Sequence, residues 1–322
     1  MRIAVCIITY RRAESLHRAL GALAGQVFDG AGPEVRVVVV DNDGARSGEP
    51  VCDAARASMA WPLDYAVEER PGIPFARNRC VEIARPGADW IAFVDDDEEP
   101  GPGWLAELLR VQRAYEADVV TGPVLPRFVG EVPGWAVKGG LFERLRFPTG
   151  TRRDRAFTGN VMFRAEVFDR VRPHFDERLA MSGGSDTHFS RRVYEAGYRI
   201  VWADDAGVPE TVPASRVAAG WVFRRAYRIG TTNGFIARDL RSWPAAAAAV
   251  VPFALYRVVK GTALAAGGWL FGRHWAVRGV RQICYGAGML VGLFGGRFDE
   301  YRRTRSMERA PARGRGSRKD HP

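Results

Sequence analysis

The chain has 322 residues, 47% of them apolar and 26% charged, enough for a large buried core and a composition that excludes a disordered or fibrous protein. Its formal charge of +10 is unevenly distributed: residues 216–322 hold 20 Lys and Arg against 5 Asp and Glu, whereas residues 1–215 hold 27 against 32. Four scattered cysteines, with no CxxC pair and no histidine at ligand spacing, argue against a disulfide framework or a zinc site and suit a reducing compartment.

MRIAVCIITY enters a strand at once, without a signal-peptide pattern, so the catalytic part is expected in the cytosol. Residues 2–9 read as a buried strand, and RRAESLHRALGALAG then sets Leu16, Ala19, Leu20 and Leu23 on one helix face. VRVVVVD (35–41) reads as a strand buried on both faces, as in a parallel sheet. FARNRCVEIA reads as a helix and DWIAFVD (89–95) as a third strand. A helix over 103–117 follows, with Trp104, Leu105, Leu108 and Leu109 on one side, and then the strand ADVVTGPV. This strand–helix alternation predicts a doubly wound α/β domain, in which ligands bind beyond the carboxyl ends of the strands. Three of those ends are polar: Thr9-Tyr10, Asp41-Asn42-Asp43 and Asp95-Asp96-Asp97. Residues 126–160, rich in Pro, Gly and aromatics, read as irregular, and Asp186–Ala196 as a helix closed by Gly197.

From 216 the texture changes. Apolar blocks at 243–256, 261–272 and 283–296 are separated by Arg257, Lys260, Arg273, Arg278 and Arg281. No block alone reaches the ~18–20 residues of a spanning helix; joined across Arg257 and Lys260, 245–272 could form a re-entrant or tilted segment, though two charges at mid-depth argue against a simple span. Amphipathic segments lying on anionic headgroups fit better than nucleic-acid binding, for which no recognised module is present. A helical subdomain packed on the sheet is the alternative. Residues 216–300 thus form a basic helical region expected to associate with membrane, and 301–322 a disordered basic tail.

The third strand ends in FVDDDEEP, five consecutive acids from Asp95 to Glu99. Either this is a solvated acidic turn before Pro100, or a cation relieves the repulsion. Mg²⁺ and Mn²⁺ prefer carboxylate oxygens, and Mg²⁺ commonly adds substrate phosphates to one or two carboxylates.

Six segments in order, IITYRR, VVVVDND, GIPFARN, FVDDDEEP, FTGNVMF and MSGGSDTHFSRR, resemble the family 2 glycosyltransferases of GT-A fold, over essentially all of 1–213. MSGGSDTHFSRRVYEAGYRIVWADDAGVPETVP with WVFRRAYRIG resembles bacterial exopolysaccharide enzymes of the succinoglycan glucosyltransferase type. The resemblance implies a Rossmann-like, mainly parallel sheet with flanking helices over 1–215, using a nucleotide sugar, Mg²⁺ or Mn²⁺, and inversion at the transferred sugar. It implies that Thr9, Tyr10 and Asp41 hold the uridine and that Arg77 faces the base or the diphosphate. Asp96 would accept ribose hydroxyls and Asp97 would bind the metal, with Asp95 as a supporting ligand or a charge the metal relieves. Glu98 and Glu99 are expected to be solvated. Gly159 and Asn160 match the segment lining the sugar pocket. Trp135 and Trp202 are candidates for stacking on sugar, with core burial as the alternative.

The family places its base in a Gly-Gly-Glu-Asp segment; this chain has Gly183-Gly184-Ser185-Asp186. Asp186 keeps the base position, and the departure at Ser185 puts acceptor contacts there in doubt. Helix capping is the other reading of Asp186, and His188 is the rival base. Where the family often supplies a histidine to the metal, VPETVP offers Glu210.

These features imply a UDP-linked donor and a lipid-linked or polysaccharide acceptor, at the cytoplasmic face of the membrane in peripheral or monotopic attachment. Two rivals stay open. Nucleotidyl or phosphoryl transfer would use the same carboxylates, although no GxxxxGK[ST] is present. A non-catalytic nucleotide-sugar-binding membrane module would bind without turnover.

Overall fold

The computed structural model describes residues 1–298. β1 (Arg2–Thr9) leads into α1 (Ala13–Ala24), β2 (Glu34–Asp41) into α2 (Glu49–Arg56), β3 (Leu63–Val67) into α3 (Ile73–Ala84), and β4 (Trp90–Val94) into α4 (Trp104–Tyr115). Then come β5 (Val119–Thr121), β6 (Val124–Phe128), α5 (Gly134–Lys138), β7 (Arg152–Arg153), β8 (Asn160–Arg164), α6 (Val167–Arg170), α7 (Ser185–Glu195), β9 (Ile200–Trp202) and β10 (Val208–Val212). Three long helices finish the described chain: α8 (Ala219–Leu240), α9 (Trp243–Phe271) and α10 (Arg273–Leu293).

The main sheet has the order β3-β2-β1-β4-β8-β5-β9-β7. β3, β2, β1 and β4 are mutually parallel, and β8 is inserted antiparallel between β4 and β5. The four consecutive valines of β2, Val37 to Val40, explain its central place. Val37 and Val39 pack on one side with Leu16, Leu20 and Leu23 of α1, while Val38 and Val40 pack on the other with Ala76, Cys80 and Val81 of α3. A strand covered by helices on both faces needs this unbroken apolar run. The expected α/β architecture is thus present.

Several local expectations change. β3 and α2, half-exposed and weakly patterned, were not foreseen. ADVVTGPV is not one strand: the chain breaks at Gly122, and β6 leaves the sheet to pair with β10. A side chain at Gly122 would meet the carbonyls of Ala206 and Ala203 at 2.7 and 2.9 Å, so the crossing needs glycine. The stretch 126–160, expected to be irregular, contains most of β6 together with α5 and β7.

The apolar blocks from 243 to 271 form one 29-residue helix, α9, apolar all round rather than amphipathic, with Pro252 inside it. By length and composition it could cross a membrane, and only 17% of its most apolar window is buried. It does not stand apart from the domain. α9 runs antiparallel to α10, pairing Gly268 with Ala276, Gly261 with Gly279 and Ala254 with Gly286. α10 runs parallel to α8, with Gly288 and Gly292 against Tyr227 and Thr231. Near the start of α10, Arg273 lies over the Trp135 ring at 5.6 Å, and beyond its end Arg297 donates to the Arg178 carbonyl at 2.9 Å. Both ends of α10 therefore rest on the α/β domain. The tail expected to be disordered lies outside the described residues.

Candidate active site

The register of the parallel strands brings the polar ends together. Thr9 closes β1 opposite Asp41 of β2, and β4, paired to β1, leads straight into the acids. Thr9 Oγ1 donates to Asp96 Oδ2 at 2.8 Å, and Arg12 donates to Asp96 Oδ1 at 2.9 Å and to Asp97 Oδ2 at 3.0 Å. Asp41 is fully enclosed. Its oxygens accept the Asp43 and Gly48 amides (3.0 and 2.7 Å) and the Tyr65 hydroxyl (3.0 Å), so its carboxylate shapes the 42–48 turn. Tyr10 is half-buried, its ring beneath the Arg11 guanidinium at 5.1 Å.

The acid run is not a free turn. Its backbone pairs with β10: the Thr211 amide donates to Asp97 O at 3.0 Å and the Glu99 amide to Pro209 O at 3.0 Å. This places Glu98 opposite Glu210. The expectation that Glu98 and Glu99 are solvated is overturned. Glu98 is 2% exposed and accepts the Asp95 amide at 2.7 Å, and Glu99 is held by Arg18 and Arg127. Gly159 explains how Glu98 fits, because any side chain there would collide with the Glu98 carboxylate.

Sequence reasoning also missed how much of the charge is met by arginine. Arg12 bridges Asp96 and Asp97, Arg77 faces Asp95 at 3.4 Å, and Arg216 reaches Asp97 at 3.7 Å and Glu210 at 3.2 Å. Arg144 takes the other oxygen of Glu210 at 2.6 Å. The neutralisation is incomplete. Burial, opposed by Arg12 and reinforced by Asp97, pushes Asp96 up to about 6. Burial and Asp95 raise Asp97, and burial and Asp95 raise Glu98 well above the usual carboxylate range. Arg12 follows a strand end in IITYRR, the one sequence signal that could have identified it.

Asp186 lies in the first turn of α7, half-buried. The helix is entered through Gly183 and Gly184, both with positive φ (72° and 88°), a conformation that suits glycine. Gly184 occupies the N-cap, so Asp186 is not the cap residue; its Oδ1 accepts the Thr187 amide at 2.7 Å. Ser185 is 0% exposed, and its Oγ is buried without a hydrogen-bond partner among the described residues, so it faces the interior. Next to this loop, Arg228 donates to Ser182 O and Thr232 Oγ1 to Gly183 O, each at 3.3 Å, both from α8.

His188 is 2% exposed, and its Nε2 meets Asp239 of α8 at 2.9 Å. With Asp176 it forms a cluster whose ligand atoms lie within 4.8 Å of one another. By spacing these three could hold a metal ion; in this structure Arg178 bridges both carboxylates, at 2.6 and 2.9 Å, and the cluster ties α7 to α8. Asn160, expected to line the sugar pocket, is wholly enclosed. Its amide accepts Trp104 Nε1 and donates to the carbonyls of Pro123 and Ala206, tying β8 to α4 and the β5–β6 turn. Trp202 is a core residue, edge-on to Phe147, and Trp135 packs beneath Arg273.

The family model described as glycosyl transferase family 2 matches residues 4–172, a stretch that includes β1–β4 and the acid run. The chain belongs to glycosyltransferase family 2. The model for glycosyl transferase family group 2 extends the match over 90–272. This glycosyltransferase is 30% identical over 234 residues to the succinoglycan biosynthesis protein ExoM of Rhizobium meliloti (strain 1021), covering 73% of this chain and 74% of that one. Two solved structures share its GT-A fold. The mannosyltransferase PcManGT from Pyrobaculum calidifontis, in complex with GDP-Man and Mn2+, matches with a TM-score of 0.59 at 18% identity, covering 91% of this chain and 87% of that one. TarS 1–349 of S. aureus matches with a TM-score of 0.53 at 17% identity, covering 90% and 91%.

By chemistry the donors of this glycosyltransferase suit a hard divalent cation, because Asp95, Asp97 and Glu210 offer carboxylate oxygens on two paired segments. Arginines hold those oxygens in this structure, Arg77 at Asp95, Arg12 and Arg216 at Asp97, and Arg144 and Arg216 at Glu210, so a cation would take the arginines' place. Burial first, and neighbouring carboxylates second, raise the affinities of Asp96, Asp97 and Glu98 for protons, and a cation placed among them would favour their ionised forms. Arg77 Nε, beside this group, is buried without a hydrogen-bond partner among the described residues.

Proposed function

We propose that the chain transfers a hexose from a UDP-sugar to a saccharide on a lipid carrier or a growing polysaccharide, with inversion, at the cytoplasmic face of the membrane. The observation that carries this is the acid run itself. Asp97 and Glu210 share the Arg216 guanidinium at the carboxyl end of the sheet, in a run of acids largely withdrawn from water. A divalent cation held by Asp97, Glu210 and Asp95 would stabilise the departing diphosphate as a Lewis acid. Thr9, Tyr10 and the turn built on Asp41 hold the nucleoside, and Arg77 donates to its base or diphosphate. Gly159 and Asn160 brace the floor of the site from within, Gly159 by making room for Glu98 and Asn160 by tying β8 to α4. Asp186 takes the proton of the acceptor hydroxyl as that oxygen bonds to the anomeric carbon; the sugar–phosphate bond breaks, and its electron pair leaves with the nucleoside diphosphate.

ExoM, a succinoglycan biosynthesis protein, supports the polysaccharide context. TarS solved with UDP and with UDP-GlcNAc supports a nucleotide-sugar donor, and Mn2+ in the mannosyltransferase structure supports a divalent metal. The exposed apolar side chains of α9 support membrane attachment.

The test is release of nucleoside diphosphate from a panel of UDP-, GDP- and dTDP-sugars with native membranes as acceptor, with Mn²⁺ or with EDTA. Release should require the metal and vanish in Asp97→Asn. Asp186→Asn should lower turnover by ~10²–10⁴ while leaving UDP affinity intact. Metal-dependent UDP binding without turnover, indifferent to Asp186, would instead identify a binding module.

A further inference from the structure

Four carboxylates of the site, Asp95, Asp96, Asp97 and Glu210, are met by four guanidiniums, those of Arg77, Arg12, Arg216 and Arg144. Glu98 accepts the Asp95 amide instead, and burial favours its neutral form. Charge is therefore matched within these contacts. A divalent cation added alone would leave the group positive. One that arrives with a diphosphate, whose two phosphates are each ionised, would leave the balance as it was.

Arg216 is placed to link the two ligands. Its Nη1 alone serves both acids, 3.2 Å from Glu210 Oε1 and 3.7 Å from Asp97 Oδ2. Arg146, by contrast, grips Asp204 with two nitrogens, each at 2.7 Å, the forked geometry of a firm ion pair. A single nitrogen lying between two carboxylates occupies the place that a cation bridging them would take. The grip is loose, and the Arg216 side chain is 25% exposed. Its backbone is fixed: the Arg216 amide donates to Pro213 O at 2.9 Å, and the neighbouring Val217 is buried with Ala136 and Val212. The guanidinium can thus swing on a rigid base.

We propose that Arg216 changes partners when the donor binds, giving up Asp97 and Glu210 to the divalent cation and taking oxygens of the donor's diphosphate. The proposal rests on the transferase reading above and makes Arg216 a donor-binding residue that couples cation to nucleotide. When only the cation is present, Arg216 competes with it and, once displaced, has water for a partner. When the diphosphate is present too, the displaced guanidinium meets oxygens that match its planar fork. Each ligand then binds weakly alone and tightly beside the other, and by linkage the gain is the same in either order. Arg144, on the other oxygen of Glu210 at 2.6 Å, adds to the competition with the cation.

The test reads cation binding to the full chain without turnover, from the free Mn²⁺ signal in electron paramagnetic resonance. UDP should tighten Mn²⁺ binding by about 5–150-fold in the unaltered chain. Arg216→Gln should act with opposite signs on the two ligands. Mn²⁺ alone should bind about threefold tighter, because a competitor is gone. UDP at saturating Mn²⁺ should bind about tenfold weaker, because a charged donor to the diphosphate is gone. Arg216→Lys keeps the charge without the fork, so it should leave Mn²⁺ alone unchanged and recover UDP binding only in part. Arg144→Gln, at a side chain 37% exposed, should also tighten Mn²⁺ alone and repeats the competition test away from the core. Asp97→Asn is the control that ties the signal to this site, since ions held by Asp176, His188 and Asp239 would survive it. Mn²⁺ affinity unchanged or weakened in both glutamine variants would overturn the proposal, as would UDP affinity untouched by Arg216→Gln. A chain that binds Mn²⁺ through Asp97 but no UDP would overturn the transferase reading as well. Tight UDP binding with both affinities falling together in Arg216→Gln would overturn the exchange of partners alone.

Discussion

Asp96 shows how single residues set the conditions under which the site works. Burial, outweighing the help of Arg12 and Thr9, pushes its carboxyl up to about 6 in the folded chain, against an ordinary value near 4. Between those values the folded state holds the proton and the unfolded state has released it. Asp96 therefore contributes less stability as pH rises from about 4 to about 6, and no further change above that. A divalent cation favours the ionised form, so its binding should release protons. The ionised fraction of Asp96 falls about fourfold between pH 7.5 and 5.5, and Mn²⁺ affinity should fall with it by up to that factor. Calorimetry in two buffers of different ionisation enthalpy would read both effects; an affinity flat over this range would mean that other groups hold the metal. The residue types at the strand ends were legible in the sequence because hard cations and nucleotides demand them. The inward turn of Glu98 was not, since it depends on Gly159, sixty-one positions away, leaving room for a carboxylate. Nor were Arg18 and Arg216, whose partners are set by folding rather than by neighbourhood in sequence.

At the scale of elements, glycine decides how the last three helices meet. A side chain at Gly292 would run into the Thr231 carbonyl, and one at Gly279 into the backbone of Ala265. Helices approach this closely only through small residues, a habit common in membrane proteins. Gly292→Val should force α8 and α10 apart and lower stability by about 1–3 kcal/mol or more, read by chemical unfolding and by faster hydrogen exchange along α8. Gly21 of α1 has nothing within 4 Å of a Cβ, so Gly21→Ala should stabilise by about 0.5–1 kcal/mol and serves as the contrast. The strong elements β1, β2, β4, α1 and α4 could be read from periodicity because their buried faces are continuous. β3 has one fully buried residue out of five and left little pattern to find. α9 was read as separate blocks because Arg257 and Lys260 interrupt it, yet both charges lie over aromatic rings, Arg257 over Phe253 and Tyr285 and Lys260 over Tyr256.

For the molecule as a whole, the alternation of strands and helices was enough to anticipate the fold, whereas the placement of α8–α10 was not, since it rests on contacts between distant segments. Their outer surface combines basic charge with Trp269, Leu270 and Phe271, which are 95%, 83% and 64% exposed. The full chain should therefore bind phosphatidylglycerol vesicles more strongly than phosphatidylcholine vesicles. About 0.5 M salt should weaken this binding without abolishing it, because screening acts on the charges and not on the apolar contact. Replacing Trp269 and Leu270 together by Glu should remove most of it in a flotation assay. Binding unaffected by that double change would place the lipid contact elsewhere.

The hold of α8 on Ser182 and Gly183, with Asp239 on His188, means that the loop carrying Asp186 is supported by helices that come later in the chain. A chain severed at 215 would retain every strand end, the acid run and Asp186 itself, while losing that support. Neither fragment alone would be competent, and turnover would return only through complementation, when the second fragment reassembles on the first.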